Sequence, residues 1–211
     1  MKYNISDVII ELYKVFDILN REYFDNSLNE PIITVQEDKP NILGHFITEP
    51  LWYNRGTDEK YYEINLNPIG FNKDSDEIIG VLLHEMCHYY NKVNNINDGK
   101  GNRHNKKFKE SAERVGLVVD EDNFAITTPS DDLKHFIHSN IEPFVDVNVF
   151  DLYLTIELEE KERKPRKKTQ FKYICPKCGM VAKAKAELNI VCGACQIELE
   201  MEDVEENEDS E

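Results

Sequence analysis

No stretch of this 211-residue chain approaches the roughly 18 consecutive apolar residues that a membrane-spanning helix requires. The opening run MKYNISDVII is broken by Asn4, Ser6 and Asp7, so it lacks the apolar segment of a secretory leader. A cytoplasmic chain without a membrane partner is the expectation. Cysteine is scarce and odd in number: there are five, four of them near the C-terminus, which argues against a disulfide framework and for metal ligation in a reducing compartment. No repeat of 20–50 residues is visible, which excludes solenoids and propellers. With 40% apolar residues the chain is not disordered, and its length allows one or two domains.

Basic residues are also in short supply, 25 against 41 acidic ones, and the net charge of −16 taken alone argues against a nucleic-acid partner. The excess is unevenly spread. Residues 1–160 are net −15, residues 161–195 are net +8, and the last sixteen are net −9. Four parts follow: an acidic folded domain over 1–160 with its core at about 5–120 and an extension over 121–160, a basic linker over 161–172, a cysteine-rich module over 173–199, and an acidic tail over 200–211. Any contact with DNA is thereby confined to residues 161–195, where Phe171 and Tyr173 could stack on bases and the lysines could meet phosphates.

Ile5, Val8, Ile9, Leu12, Val15, Phe16, Leu19 and Tyr23 recur at helical spacing and predict a first helix with one buried stripe. Three strands are expected at Ile32–Gln36, Ile42–Thr48 and Tyr61–Asn67, forming a small antiparallel sheet. Tyr61 and Tyr62 are candidates for a strand edge that holds substrate backbone. A second helix begins at Asp74, with Glu77 completing a capping-box variant, and runs through Ile78, Ile79, Leu82, Leu83, Met86 and Tyr90. A third spans roughly Arg103 to Val115 and stops at Gly116. Blocks of helix, strands and helices define an α+β layer.

The second helix carries His84-Glu85-Met86-Cys87-His88. Residues four apart project from one helix face, so both imidazoles can bind one ion while Glu85 stands beside the open coordination position. Zinc so held lowers the pKa of its water to roughly 7, and a neighbouring carboxylate can take the proton during attack on a carbonyl. Chance alone would produce such a motif in this composition on the order of 1–2% of the time. The apolar run Ile78 to Leu83 before it is what a buried active-site helix needs. Cys87 points to another face and reads as a small buried residue.

A catalytic zinc usually takes three protein ligands. His104, His135, His138, Glu110 and Glu113 lie downstream; Asn91 and Asn94 occupy the positions where a metzincin would have Gly and His. His104, at the mouth of the third helix after a Gly/Asn-rich loop, is better placed than the glutamates. The arrangement HEMCH, then DGKGNRHNKKF, with FDILNREYFDNSL upstream, resembles the SprT-like (Spartan-like) zinc metallopeptidases over roughly residues 5–120. The resemblance implies His84, His88 and His104 as zinc ligands, Glu85 as general base, protein substrates and a link to DNA-crosslinked proteins. Members often frame the third histidine with glycines, where this chain has Arg103 and Asn105.

Cys175-Pro176-Lys177-Cys178 and Cys192-Gly193-Ala194-Cys195 form two knuckles thirteen residues apart, each turn helped by Gly179 or Gly193. Four thiolates leave no position for water, so a second, structural zinc is expected, able to fold some thirty residues without a proper core. His45, His135 and His138 are isolated and receive no role. The competing reading is a non-enzymatic zinc protein that binds nucleic acid or regulates.

Overall fold

A computed structural model describes residues 2–100, 103–153, 171–184 and 188–201, and the chain divides into two compact units, Met1–Glu157 and Leu158–Glu211. The basic linker up to residue 170, Lys185, and the acidic tail beyond residue 201 lie outside the described residues.

In the first unit, helix α1 (Ile5–Tyr23) begins at Asn4. The Asn4 side chain accepts the Ser6 N–H at 2.8 Å while Asp7 accepts the Asn4 N–H at 2.8 Å, a reciprocal cap that satisfies two end-of-helix donors. Of the expected stripe Val8, Leu12, Val15, Phe16 and Leu19 are buried, Ile9 and Tyr23 at its margins are half-buried, and Ile5 in the first turn is exposed. Asn20, also buried, donates to the Leu28 carbonyl at 2.8 Å and accepts the Leu28 N–H at 3.2 Å, closing the loop that follows.

Strands β1 (Ile32–Val35), β2 (Gly44–Asn54) and β3 (Glu59–Leu66) form a sheet in the order β1-β3-β2. The sheet is mixed, not purely antiparallel: β3 is antiparallel to β2 but parallel to β1, because the chain leaves β1, lays down the far edge and then returns through the middle. Tyr61 and Tyr62 therefore belong to the central strand; β1 and β2 are the edges, with Tyr61 opposite Trp52 of β2 and the pairing with β1 beginning at Glu63. The expected strand Ile42–Thr48 continues to Asn54 past a register irregularity between Ile47 and Trp52, where Pro50 can sit without breaking a ladder.

Helix α2 (Ser75–Val93) is the centre of the core, with Ile78, Ile79, Leu82, Leu83, Met86 and Cys87 buried. Asp74 does occupy its N-cap but makes no side-chain cap bond, and Glu77 pairs with Lys73 at 3.3 Å, so the capping box expected there is absent. After α2 come a two-residue ladder, β4 (Gly99–Lys100) and β5 (Arg103–His104), and helix α3 (Lys106–Arg114). The third helix is shorter than expected because Arg103 and His104 pair as a strand and Asn105 caps the helix, accepting the Lys107 N–H at 2.8 Å. Where the resemblance leads one to expect glycine, Asn105 supplies that cap.

The extension is folded onto the same core through β6 (Leu117–Val119), β7 (Thr127–Pro129) and α4 (Asp131–Asn140), whose Leu133 and Ile137 are buried. A 3-10 turn over Val147–Asp151 brings Val149 and Phe150 inward. Just before it, the Asp146 N–H bonds to Glu11 Oε2 at 3.2 Å and the Tyr3 hydroxyl donates to Asp146 Oδ2 at 2.9 Å, tying this end of the unit to α1.

In the second unit, β8 (Phe171–Ile174) pairs antiparallel with β9 (Val181–Ala184) and with β10 (Glu200–Met201). Its core is Tyr173, Cys175, Cys192 and Leu199. Among the described residues no helix is long and apolar enough to cross a membrane.

Candidate metal centre

Helix α2 presents His84 and His88 on the flank facing α3, and the β4–β5 ladder carries His104 over the same point. The three Nε2 atoms converge: His88 and His104 lie 2.8 Å apart and His84 and His104 3.2 Å apart. Ligand atoms about 2.0–2.1 Å from a tetrahedral ion stand about 3.3 Å from one another, so the spacing fits a shared metal. Of the downstream candidates for a third donor, His104 is the one brought to the pair. Glu110 pairs with Lys107 at 2.7 Å, Glu113 with Lys109 at 3.7 Å, and His138 with Glu142 at 3.0 Å; His135 is exposed.

Phe108 of α3 forms the floor of this cluster. Its ring centroid lies 4.6 Å from that of His84, 4.5 Å from His88 and 4.2 Å from His104, and it is fully buried. The outer nitrogens are also engaged. His84 Nδ1 is 2.9 Å from Thr127 Oγ1, and His88 Nδ1 is 2.7 Å from Asp98 Oδ2. Because a carboxylate only accepts, the second contact puts hydrogen on His88 Nδ1 and leaves Nε2 a bare lone pair facing the cluster.

The electrostatics agree with that arrangement. Burial, reinforced by His88 and His104, drives the His84 pKa well below its ordinary value and keeps the imidazole a neutral donor. Burial alone would raise the Asp98 carboxyl, but the His88 hydrogen bond and charge and the Asn91 amide outweigh it and hold it below the usual range.

Glu85 lies on the flank of α2 that faces β2, and it is 5% exposed. Burial pushes its carboxyl up to about 7, against the opposing pull of His88 and the Phe46 backbone N–H that bonds to it. A group so placed accepts and returns protons near neutral pH. Cys87, by contrast, is fully buried with its thiol pushed up by that burial, and it points away from the cluster, 3.7 Å from the Ser111 carbonyl. Packing is its role.

In the second unit the four sulfurs of Cys175, Cys178, Cys192 and Cys195 lie within 4.8 Å of one another. Cys178 and Cys192 are 3.7 Å apart, against about 3.8 Å for two thiolates on one tetrahedral zinc. Each knuckle closes in the same way. Gly179 N–H bonds to the Cys175 carbonyl at 2.9 Å and Gln196 N–H to the Cys192 carbonyl at 2.7 Å, both from left-handed backbone, φ 71° and 57°. The left-handed residue of the second knuckle is therefore Gln196 and not Gly193. The backbone N–H groups of Cys178 and Lys177 also point at the Cys175 sulfur and bring its pKa down to about 7. Both clusters could hold a metal ion, and the donor sets are consistent with zinc.

Sequence reasoning gives Asp98 and Thr127 no role; it meets Phe108 only as the end of the DGKGNRHNKKF run and Asn91 only as a departure from the metzincin pattern. Asp98 opens that same run, six residues before His104.

Comparison with known proteins matches residues 12–130 to the SprT-like family, a span that contains His84, Glu85, His88, Asp98, His104 and Thr127 but not the cysteine cluster. The chain is 26% identical over 145 residues to "Protein SprT-like" of Geobacillus kaustophilus (strain HTA426), an alignment covering 66% of this chain and 70% of that one. With over half its length matched, the chain belongs to the SprT-like family.

Proposed function

We propose that this SprT-like protein is a zinc-dependent endopeptidase. The observation that carries the reading is the convergence of three imidazole Nε2 atoms beside a buried glutamate. His84, His88 and His104 would hold the ion, which supplies Lewis acidity toward a carbonyl oxygen and acidifies a water. Glu85 takes the proton of the attacking water and delivers it to the leaving amine. The Phe46 N–H fixes the carboxylate in place, and burial sets its affinity for the proton near neutrality. Asp98 and Thr127 keep two ligands oriented from behind.

In this reading the cysteine cluster holds a structural zinc, and residues 161–195, net +8 between two acidic parts, bring the enzyme to DNA, so that its substrates are proteins on DNA. Support comes from the cross-strand neighbours Lys172 and Lys183 of the ribbon sheet.

The test compares the zinc-loaded protein with Glu85→Gln for cleavage of itself and of DNA-bound proteins. Loss of ~10²–10⁴-fold in rate with two zinc ions per chain retained is the expected result. Equal activity, or equal inactivity, of the two proteins would leave a non-enzymatic metal protein as the better reading.

A further inference from the structure

The contact behind His88 does not end at Asp98. Asp98 Oδ2 also receives the Asn91 side-chain amide at 3.3 Å, and Asn91 Oδ1 lies 2.7 Å from the Ser111 hydroxyl. Asn91 is fully buried and Ser111 is 8% exposed. The directions of these bonds follow from chemistry. The Asp98 carboxylate accepts, so Asn91 must turn its NH₂ toward it; the amide oxygen is then left facing Ser111, whose single hydroxyl proton has Asn91 Oδ1 at 2.7 Å as its nearer acceptor and the Lys107 carbonyl at 3.0 Å as the other.

We propose that Asn91 is a positioning residue for the metal site: it locks Asp98, and through it the tautomer and orientation of His88. This inference rests on the reading of His84, His88 and His104 as metal ligands. Asn91 stands in the last turn of α2, where burying its amide costs desolvation free energy unless both ends are bonded. Its NH₂ is bonded toward His88 through Asp98 and its oxygen is bonded to α3 through Ser111. Asp98 stands on a loop, and its backbone is held by the Asn105 N–H at 3.0 Å from its carbonyl. Its carboxylate meets His88 and its own backbone N–H, and the Asn91 amide adds a second contact that fixes Oδ2 from the helix bearing His88. Ser111 sits on α3, the helix that also carries Phe108, so the relay ties the orientation of His88 to the floor of the site. Thr127 behind His84 differs, because a hydroxyl both donates and accepts and does not by itself choose a tautomer.

The test uses cobalt(II) titrated into the metal-free full chain, with the thiolate-to-cobalt band of the four-cysteine site as internal control. Asn91→Leu is expected to weaken cobalt binding at the histidine site about tenfold while leaving the thiolate band and the metal-free melting temperature unchanged. In an Asp98→Ala background the same substitution should have no further effect, since Asn91 acts through Asp98. Unchanged affinity in Asn91→Leu, or an equal loss in both backgrounds, overturns the proposal. Should Asn91→Leu not fold, the smaller change Asn91→Ser decides by the same cobalt titration in both backgrounds, supplemented by ring ¹⁵N–¹H correlations: a loss confined to the Asp98-containing background and a His88 proton less firmly held on Nδ1 than in the parent support the proposal, and parental affinity with an unchanged proton position overturns it. If the unsubstituted chain binds cobalt through its thiolates and nowhere else, the metal-site reading fails and this proposal with it; that result is distinct from a histidine site indifferent to Asn91.

Discussion

Gly44 of β2 lies against Glu85 of α2: a Cβ at position 44 would meet Glu85 Oε1 at 3.1 Å and Val81 Cγ1 at 2.9 Å. The edge strand passes the Glu85 carboxylate at a distance that only a bare backbone allows, and two residues on, Phe46 donates its N–H to the same carboxylate. The strand and the helix thus define the position of Glu85 jointly.

Gly44→Ala should displace both Val81 and Glu85. We expect a loss of about 1–3 kcal/mol in stability, the range for an overpacked core. On the proposed reading of Glu85 as general base, cleavage should fall through kcat, because the displaced carboxylate acts in the chemical step. Thermal melts and steady-state kinetics check this; a variant with native kinetics would show that the carboxylate tolerates displacement.

Glu85 also makes stability depend on pH. Its folded pKa is raised to about 7, so relative to the unfolded chain the folded protein loses stability as pH rises from the unfolded value through 7. In metal-stripped protein, Glu85→Gln should be more stable than the parent by about 3 kcal/mol above pH 7, and the advantage should vanish below the ordinary carboxylate range. Denaturant melts at pH 5 and pH 8 measure the difference, and a gap independent of pH would be incompatible with the burial argument.

Gly99 opens the β4–β5 ladder that carries His104. Its φ is 133°, and a Cβ there would lie 2.0 Å from the Arg103 carbonyl oxygen. Gly99→Ala should therefore break the ladder and abolish metal binding at the histidine cluster while the four-cysteine site fills normally. Metal content per chain reads this out: one ion expected in place of two.

Chelation should separate the two units. Among the described residues the second unit buries little more than Tyr173, Cys175, Cys192 and Leu199, too small a core to stand alone, whereas α1, α2, α3 and the sheet share a large one. Strong chelator is expected to unfold residues 171–201 and leave the first unit folded. Proteolysis with mass spectrometry would follow it; a ribbon that stays protected without metal would contradict the estimate of its core.

What the sequence made legible was periodic or fixed in spacing. The stripes of α1 and α2, the pair His84 and His88 with Glu85 between, and the two cysteine knuckles depend on neighbours along the chain, and each stands where its spacing puts it. His104 was legible as the best of several candidates. What stayed hidden depended on partners far away. Asp98 and Thr127 are short polar residues in or beside loops, and nothing local tells which histidine they face. Asn91 was noticed for the residue it is not, a metzincin glycine, and its amide acquires meaning only when the loop returns. Strand order was hidden too: alternation in Tyr61–Leu66 says that a strand exists, but not that β1 will run parallel beside it. The cap at Asp74 had the right composition and lost to Lys73, which engages Glu77 from outside the helix.

The tie between Tyr3 and Asp146 has a topological consequence. The approach to α1 and the approach to the 3-10 turn over Val147–Asp151 are thereby held side by side. A circular permutant that joins the region after Tyr153 to residue 2 through a short linker, and opens the chain at the exposed β2–β3 turn around Gly56, should keep both α2 and the β4–β5 ladder intact.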